Sequence, residues 1–253
     1  KESMIYLKNE KEIKIMVKAG QIAVAAMKEV AGHIKKGVKT SDLDKIADDT
    51  IRKLGAESSF KKVPGYKHTT CLTPNELVVH GIPGYSVLNE GDIIGVDLGV
   101  YYKGFHADTA WTFPVGKIGK EKEDLLLTGQ NTLEQAIKKV KIGNRIGDIS
   151  STIQSNIERE GYSVVREFAG HGIGKNLHED PLIPGIGKTG TGEVIAEGMA
   201  LAIEVIYNFG KPKIIFLPDG WSVATADNLP SGLFEQSVVA TKNGPLVLTH
   251  ENN

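Results

Sequence analysis

The sequence predicts an α+β, two-layer fold made of two similar halves in a pseudo-twofold arrangement. Helical segments precede strand-like segments twice along the chain, before and after residue 116. Short motifs recur in order at spacings of about one hundred residues, for example His80-Gly81-Ile82 and His171-Gly172-Ile173. Acidic residues also lie inside apolar strand-like stretches, where burial is unfavourable unless the charge is compensated.

The composition is that of an ordinary globular protein, with 253 residues and a formal net charge of −1. This charge gives no reason to expect nucleic acid or a membrane as a partner, and no apolar run approaches the ~20 residues of a membrane span. Cys71 is the only cysteine, so no internal disulfide can form, which suits the reducing cytoplasm. We expect a cytoplasmic monomer, one domain over residues 1–253 with half-repeats at about 10–116 and 117–250. Met4 is expected to be the native start.

The first half contains two predicted helices. Apolar residues at helical spacing indicate one helix from Glu10 to Ala31. Thr40 or Ser41 is expected to cap a second helix, which Gly55 ends. A short strand over 76–80 follows.

The second half repeats this plan. A helix is predicted over 121–141, and Asp148 is expected to cap another helix that ends at Gly161. Strand-like stretches follow at 162–168, 199–207, 221–226 and 233–241, with a glycine-rich loop at 184–192.

The stretch from Gly91 to Asp108 predicts a β-hairpin that turns at Lys103-Gly104. This turn places Asp108 opposite Gly99, and Asp97 lies two residues from Gly99. Both carboxylates therefore project from one face, roughly 7–8 Å apart by backbone. Two such acids repel each other unless a cation lies between them. The hairpin alone leaves a solvated face and half of a metal site equally open.

Further donors lie in strand-like, glycine-flanked contexts. The repeat places Glu204 in the position of Asp97, and likewise equates His80 with His171. A set rich in carboxylates with one imidazole suits two divalent cations, and Co, Mn, Fe or Zn are all chemically reasonable. His178, seven residues after His171, is expected to support this set or to face the substrate. The five candidate ligands are Asp97, Asp108, His171, Glu204 and Glu235.

Together these residues resemble the type I methionine aminopeptidases. The motifs that carry the resemblance cover nearly the whole chain: Asn75-Glu76 with His80-Gly81-Ile82-Pro83, the pair Asp97 and Asp108, Gly170–Gly174 with His178–Pro181, Glu204, Asp219–Ser222, and Phe234-Glu235. The resemblance implies the duplicated "pita-bread" fold of the creatinase/aminopeptidase type in a single catalytic domain. It also implies a hydrolase that removes the initiator methionine from nascent proteins with small second residues, by attack of a metal-bridging water.

The resemblance assigns a role to each ligand. Asp97 would chelate one metal ion, Asp108 and Glu235 would bridge both ions, and His171 and Glu204 would bind the other.

The resemblance also assigns catalytic and substrate-binding residues. Glu204 would shuttle a proton, His178 would hydrogen-bond the scissile amide, and His80 would position the substrate and stabilise the tetrahedral intermediate. The implied partners are nascent-chain N-termini and the ribosome. The pocket for the methionine side chain would be lined by Tyr66, Cys71 and Trp221.

Some positions depart from the family pattern. Gly99 stands where many members have Thr, and Val205-Ile206 replaces a common Pro-Met. Leu177 replaces an aromatic residue found in some members, and Val63 stands where some members have Tyr. Every ligand and both histidines remain, so these changes concern the shape of the pocket and the range of substrates.

Two alternatives remain open from the sequence. A proline-specific peptidase, either a prolidase or an X-Pro aminopeptidase, shares the five ligands but normally carries an additional N-terminal domain. A non-catalytic binding protein of the same fold typically loses ligands, whereas all five are present here.

Overall fold

The computed structural model describes residues 4–250, so the residues before the expected start at Met4 lie outside the described part. The helices in this range are α1 (Glu10–His33), α2 (Thr40–Lys53), α3 (Lys120–Ile137) and α4 (Ile146–Arg159). The strands are β1 (Glu57–Ser58), β2 (Thr70–Pro74), β3 (Leu77–Val79), β4 (Ile93–Tyr102), β5 (Phe105–Pro114), β6 (Ser163–Val164), β7 (Ala169–Gly172), β8 (Glu179–Pro184), β9 (Ala200–Asn208), β10 (Ile214–Phe216), β11 (Val223–Thr225), β12 (Ser231–Thr241) and β13 (Gly244–Val247).

A ten-stranded sheet runs through both halves. Its order is β1-β4-β5-β12-β9-β7-β8, with β2 beside β4, β6 beside β9 and β13 beside β12. The first half meets the second where β5 pairs antiparallel with β12, which places Glu235 opposite Ala110. A separate three-stranded sheet has the order β10-β11-β3.

The helices cover one face of the large sheet. Helix α1 packs on β4 and β5, and α3 packs on β9 and β12. Successive residues of a strand point to opposite faces of the sheet. Val96 and Leu98 therefore lie in the core beneath α1 and α2. Ile203 and Val205 lie in the core of the second half. Asp97 and Glu204 have the opposite parity on their strands, so they lie on the face away from the helices. The predicted two-layer α+β fold is confirmed.

Two predicted helix caps are wrong in detail. Helix α2 begins at Thr40 after Lys39, and the Thr40 hydroxyl accepts a hydrogen bond from the Gly84 N–H at 2.9 Å instead of capping. Asp148 is the third residue of α4, and its carboxylate accepts from the Arg145 N–H at 2.8 Å. Both side chains lie at the start of a helix, but each accepts a hydrogen bond from a backbone N–H group outside that helix.

Gly170 and Gly172, on either side of His171, lie in strand β7. A Cβ at Gly170 would lie 2.4 Å from the Ala202 carbonyl oxygen, so the close approach of neighbouring backbone requires glycine there. The equivalence of His80 with His171 is also wrong. His171 pairs within the large sheet opposite Ala202, whereas His80 follows β3 of the small sheet with a φ of 57°.

Candidate active site

The predicted hairpin places Asp97 and Asp108. Strands β4 and β5 are joined by Lys103-Gly104, whose φ values of 46° and 91° are typical of a tight two-residue turn. Gly99 lies opposite Asp108, and Asp97 lies opposite Ala110. The register of the hairpin is confirmed, and both carboxylates lie on the helix-free face.

The second half brings its donors to the same place. Glu204 on β9 lies opposite Glu235 on β12, and Glu235 lies opposite Ala110 on β5. His171 lies on β7, which pairs with β9. Asp108, His171 and Glu235 each offer one donor atom, and these atoms lie within 4.8 Å of one another. The pairing of β5 with β12 therefore brings together donor residues that are distant in sequence.

The four acids lie together in the cavity, where Asp108 and Glu235 are buried and Asp97 and Glu204 are partly buried. The Asp97 Oδ1 and Glu235 Oε1 atoms are buried and accept no hydrogen bond from the described residues. Burial raises the pKa of Asp108 to about 7, although the Thr109 N–H opposes this. Burial and then the Asp108 charge raise the pKa of Glu204 to about 8. The pKa values of Asp97 and Glu235 are raised well above their usual range by burial and by the neighbouring carboxylates. A bound cation would compensate the negative charge of the carboxylates and would be coordinated by the unpartnered oxygens.

His171 is oriented as a metal-binding imidazole requires. Its Nδ1 lies 2.8 Å from the Gly172 carbonyl oxygen, and because a carbonyl only accepts, this nitrogen carries the proton. The Nε2 atom is left with its lone pair, 3.5 Å from the Glu204 Oε1 atom. Burial and then His178 lower the pKa of His171 to about 4, so the ring is neutral at pH 7. The donor set therefore fits a divalent metal ion.

Two further histidines border the acid cluster. The His178 ring meets the His171 ring edge to face, with centroids 4.5 Å apart. The His80 ring meets Phe168 at 5.2 Å and 90°. Burial lowers the pKa of both His178 and His80. Each neutral imidazole can donate one hydrogen bond and accept another.

Another part of the wall of the same cavity is aromatic and apolar. The cavity has a volume of about 260 Å³. The Tyr66 ring packs on Trp221 at 5.0 Å, and its hydroxyl donates to the Thr70 carbonyl oxygen at 2.7 Å and accepts from the Cys71 Sγ atom at 3.3 Å. Burial raises the pKa of Cys71 well above its usual value, so this thiol is a neutral part of the wall. The wall of the cavity thus combines a carboxylate cluster with aromatic rings and a neutral thiol.

All ten side chains that the sequence analysis selected line this cavity: Tyr66, Cys71, His80, Asp97, Asp108, His171, His178, Glu204, Trp221 and Glu235. Their chemical roles stay predictions. Strand alternation alone could have added Leu233 and Ala169, which lie two residues from Glu235 and His171. No local pattern marks the other lining residues that the sequence analysis missed, which are Phe60, Val79 and Phe168.

Comparisons with known proteins place the chain in a family. It is 44% identical to the methionine aminopeptidase of Clostridium perfringens, over 97% of this chain and 99% of that protein. It is 42% identical to methionine aminopeptidase 1 of Bacillus subtilis, with the same two shares. The sequence profile of metallopeptidase family M24 matches residues 14–242. The chain belongs to the methionine aminopeptidases of metallopeptidase family M24.

Solved structures agree with this family membership. The methionine aminopeptidase of Thermotoga maritima superimposes with a TM-score of 0.96 at 40% identity, covering 98% of this M24 chain and all of that chain. The prolidase of Pyrococcus furiosus gives a TM-score of 0.79 at 23% identity and is covered over 66% of its length. That second likeness shows the fold alone. The predicted pita-bread fold is confirmed.

The structure explains Gly99, the main departure of this family member. A Cβ at Gly99 would lie 2.7 Å from the Ser59 Cβ atom and 3.0 Å from the Phe60 Cε1 atom. The space beside Gly99 is therefore already filled. Leu177 and Val63, two other departures, both line the cavity.

The remaining departures, Val205 and Ile206, are buried on opposite faces of β9. Val205 packs in the core beneath α3 and α4, and Ile206 packs with Leu233 and Val79 beside the small sheet. Ile206 does not line the cavity, whereas its neighbours Leu233 and Val79 do. Ile206 can therefore change the shape of the cavity only through these two neighbours.

Proposed function

We propose that the chain removes the N-terminal methionine from nascent polypeptides with small second residues, by metal-dependent hydrolysis of the first peptide bond. The observation that carries this proposal is the cavity itself, whose wall combines four carboxylates and His171 with Tyr66, Cys71 and Trp221. An unbranched thioether side chain suits aromatic faces and a neutral thiol.

The proposed cofactor is a pair of divalent ions, Co, Mn, Fe or Zn. Asp97 would hold one ion, Asp108 and Glu235 would bridge the two, and His171 and Glu204 would hold the other. The unpartnered oxygens of Asp97 and Glu235 and the free Nε2 atom of His171 support this assignment. When bound, such ions supply a Lewis acid and lower the pKa of a water molecule.

The chain's own residues would handle the proton and the substrate. Glu204, whose Oε1 atom lies 3.5 Å from the His171 Nε2 atom, would accept a proton and return it to the leaving amine. His178 would hydrogen-bond the scissile amide. His80 would position the substrate and stabilise the negative charge that develops on its carbonyl oxygen.

The proposal includes the setting in which the enzyme works. We infer a cytoplasmic monomer that meets nascent chains at the ribosome. We also infer that residues 1–253 form one catalytic domain with half-repeats at about 10–116 and 117–250, and the sheet that continues from β5 to β12 supports this. Among the described residues, no helix is both long and apolar enough to cross a membrane.

Peptide cleavage with each candidate metal tests the proposed activity. We expect hydrolysis of Met-Ala-Ser and little hydrolysis of Ala-Pro peptides. Preferential cleavage of Ala-Pro would indicate a proline-specific peptidase, and failure of the folded, metal-replete protein to bind any divalent ion would indicate a non-catalytic binding protein.

Two substitutions test the metal mechanism. His171→Ala and Asp108→Ala should each abolish activity and weaken metal binding in isothermal titration. Near wild-type turnover by either variant after complete metal removal would refute the mechanism.

A further inference from the structure

An aromatic path leads out of the cavity to the surface. Phe168 lines the cavity and meets the His80 ring at 5.2 Å. The Phe168 ring also meets the Phe216 ring at 6.4 Å and 50°. Phe216 is 71% exposed. The three rings are therefore linked by two successive contacts, and the last ring reaches solvent.

Strand β10 presents Phe216 on the side of the cavity. Alternation places Phe216 on the same face as Ile214, and Ile214 packs against a core cluster that contains Val79 and Leu233. Both of these residues line the cavity. The exposed ring is therefore continuous with the wall of the site.

The position of Phe216 is an unfavourable one for an aromatic residue without a binding role. Within residues 4–250, β10 is an outer strand of the small sheet, and its Ile215 is 42% exposed. Exposed apolar residues on an outer strand favour aggregation, and proteins normally place charged residues or proline there. An apolar patch that continues a binding cavity is typical of an extended ligand site.

We propose that Phe168 binds the third residue and Phe216 the fourth residue of the substrate peptide, and that both rings favour apolar side chains. This proposal rests on the proposed function, because it needs a peptide whose first bond lies beside His80. The two ring contacts put the Phe216 ring at most about 12 Å from the His80 ring, which an extended chain of up to three or four residues spans at roughly 3.3 Å each. A tripeptide has no fourth residue to place on the Phe216 ring.

The experiment compares Phe216→Ser with the wild type on three substrates: Met-Ala-Ser, Met-Ala-Leu-Leu-Ser and Met-Ala-Ser-Ser-Ser. We expect the wild type to have a KM about fivefold lower for the leucine pentapeptide than for the serine pentapeptide, as one aromatic–aliphatic contact would give. Phe216→Ser should abolish that ratio and leave kcat and the tripeptide KM unchanged. Leu127→Ser is the matched control, because Leu127 is 53% exposed on α3, in the helix layer.

Each other outcome has one meaning. An unchanged pentapeptide ratio in Phe216→Ser, or an equal change for the tripeptide, would overturn the proposal. A shift in oligomeric state by size-exclusion chromatography with unchanged KM values would assign the patch to self-association and also overturn it. Failure of the wild type to cleave any of the three peptides would instead refute the proposed function.

Discussion

Replacing Glu204 by glutamine should abolish peptidase activity and at the same time stabilise the metal-free protein. Glutamine cannot act as a general base, and the substitution removes one of the four carboxylates that line the cavity. Burial and the Asp108 charge raise the pKa of Glu204 from 4.5 to about 8. A carboxyl whose pKa is higher in the folded state stabilises the fold below pH 4.5 and loses that contribution as the pH rises to 8. The advantage of glutamine should therefore grow across this range.

The size of the effect follows from the two pKa values. Their difference corresponds to at most about 4 kcal/mol at pH 8. The Glu204 side chain is 15% exposed to the cavity, and its titration is shared with that of Asp108, so we expect about half of this limit. For a chain of this size, about 2 kcal/mol raises Tm by roughly 4–8 °C.

Thermal unfolding in the presence of a chelator measures this effect. We expect Glu204→Gln to match the wild type closely at pH 5 and to melt roughly 4–8 °C higher at pH 8. Glu134→Gln, at an exposed position on α3, should change Tm by no more than about 1 °C at either pH. A lower Tm for Glu204→Gln at pH 8, or a difference that does not depend on pH, would refute the account of the buried carboxylates.

Three further predictions concern metal binding and packing. A saturating divalent ion should raise the Tm of the wild type more at pH 8 than at pH 6, because the acids must lose protons before they bind metal; calorimetry showing equal increases would contradict this. Gly99→Ala should cost about 1–3 kcal/mol in urea unfolding through overpacking, since the added Cβ would lie 2.7 Å from the Ser59 Cβ atom. Gly32→Ala meets open space on α1 and should stabilise by about 0.5–1 kcal/mol, so equal effects of the two variants would be evidence against the packing argument. Lys8→Met should cost about 3–5 kcal/mol, because it leaves Glu179 buried without the cation that lies 2.6 Å away; an unchanged urea midpoint would exclude this.

The hairpin shows how far local sequence reasoning reaches. A two-residue turn at Lys103-Gly104 fixes which residues pair, and the period of two then fixes which face each side chain takes. The register of Gly99 with Asp108 could therefore be predicted to the residue. The helices could be predicted for a similar reason, because their apolar spacing is local.

The remaining geometry depends on contacts between distant segments. Nothing near Glu235 in sequence indicates that it pairs opposite Ala110, since that register depends on how the two halves meet. Gly170 and Gly172 each weaken a strand by themselves, so the local sequence does not explain why they flank His171. Their role becomes clear only beside the neighbouring backbone, where a Cβ at Gly172 would lie 2.1 Å from the Asp180 carbonyl oxygen.

The pairing of β5 with β12 also explains why the hairpin alone did not show whether its two acids are solvated or bind a metal ion. Asp97 and Asp108 lie on the open face of a two-stranded unit, and in that unit alone water could solvate both. Pairing of β5 with β12 adds Glu235 and Glu204 to the same face, and burial then raises the pKa of all four carboxyls. The repulsion that a cation relieves therefore arises when the halves join. The need for a compensating cation is a property of the assembled sheet, and the pH-dependent stability gain in Glu204→Gln measures the repulsion behind that need.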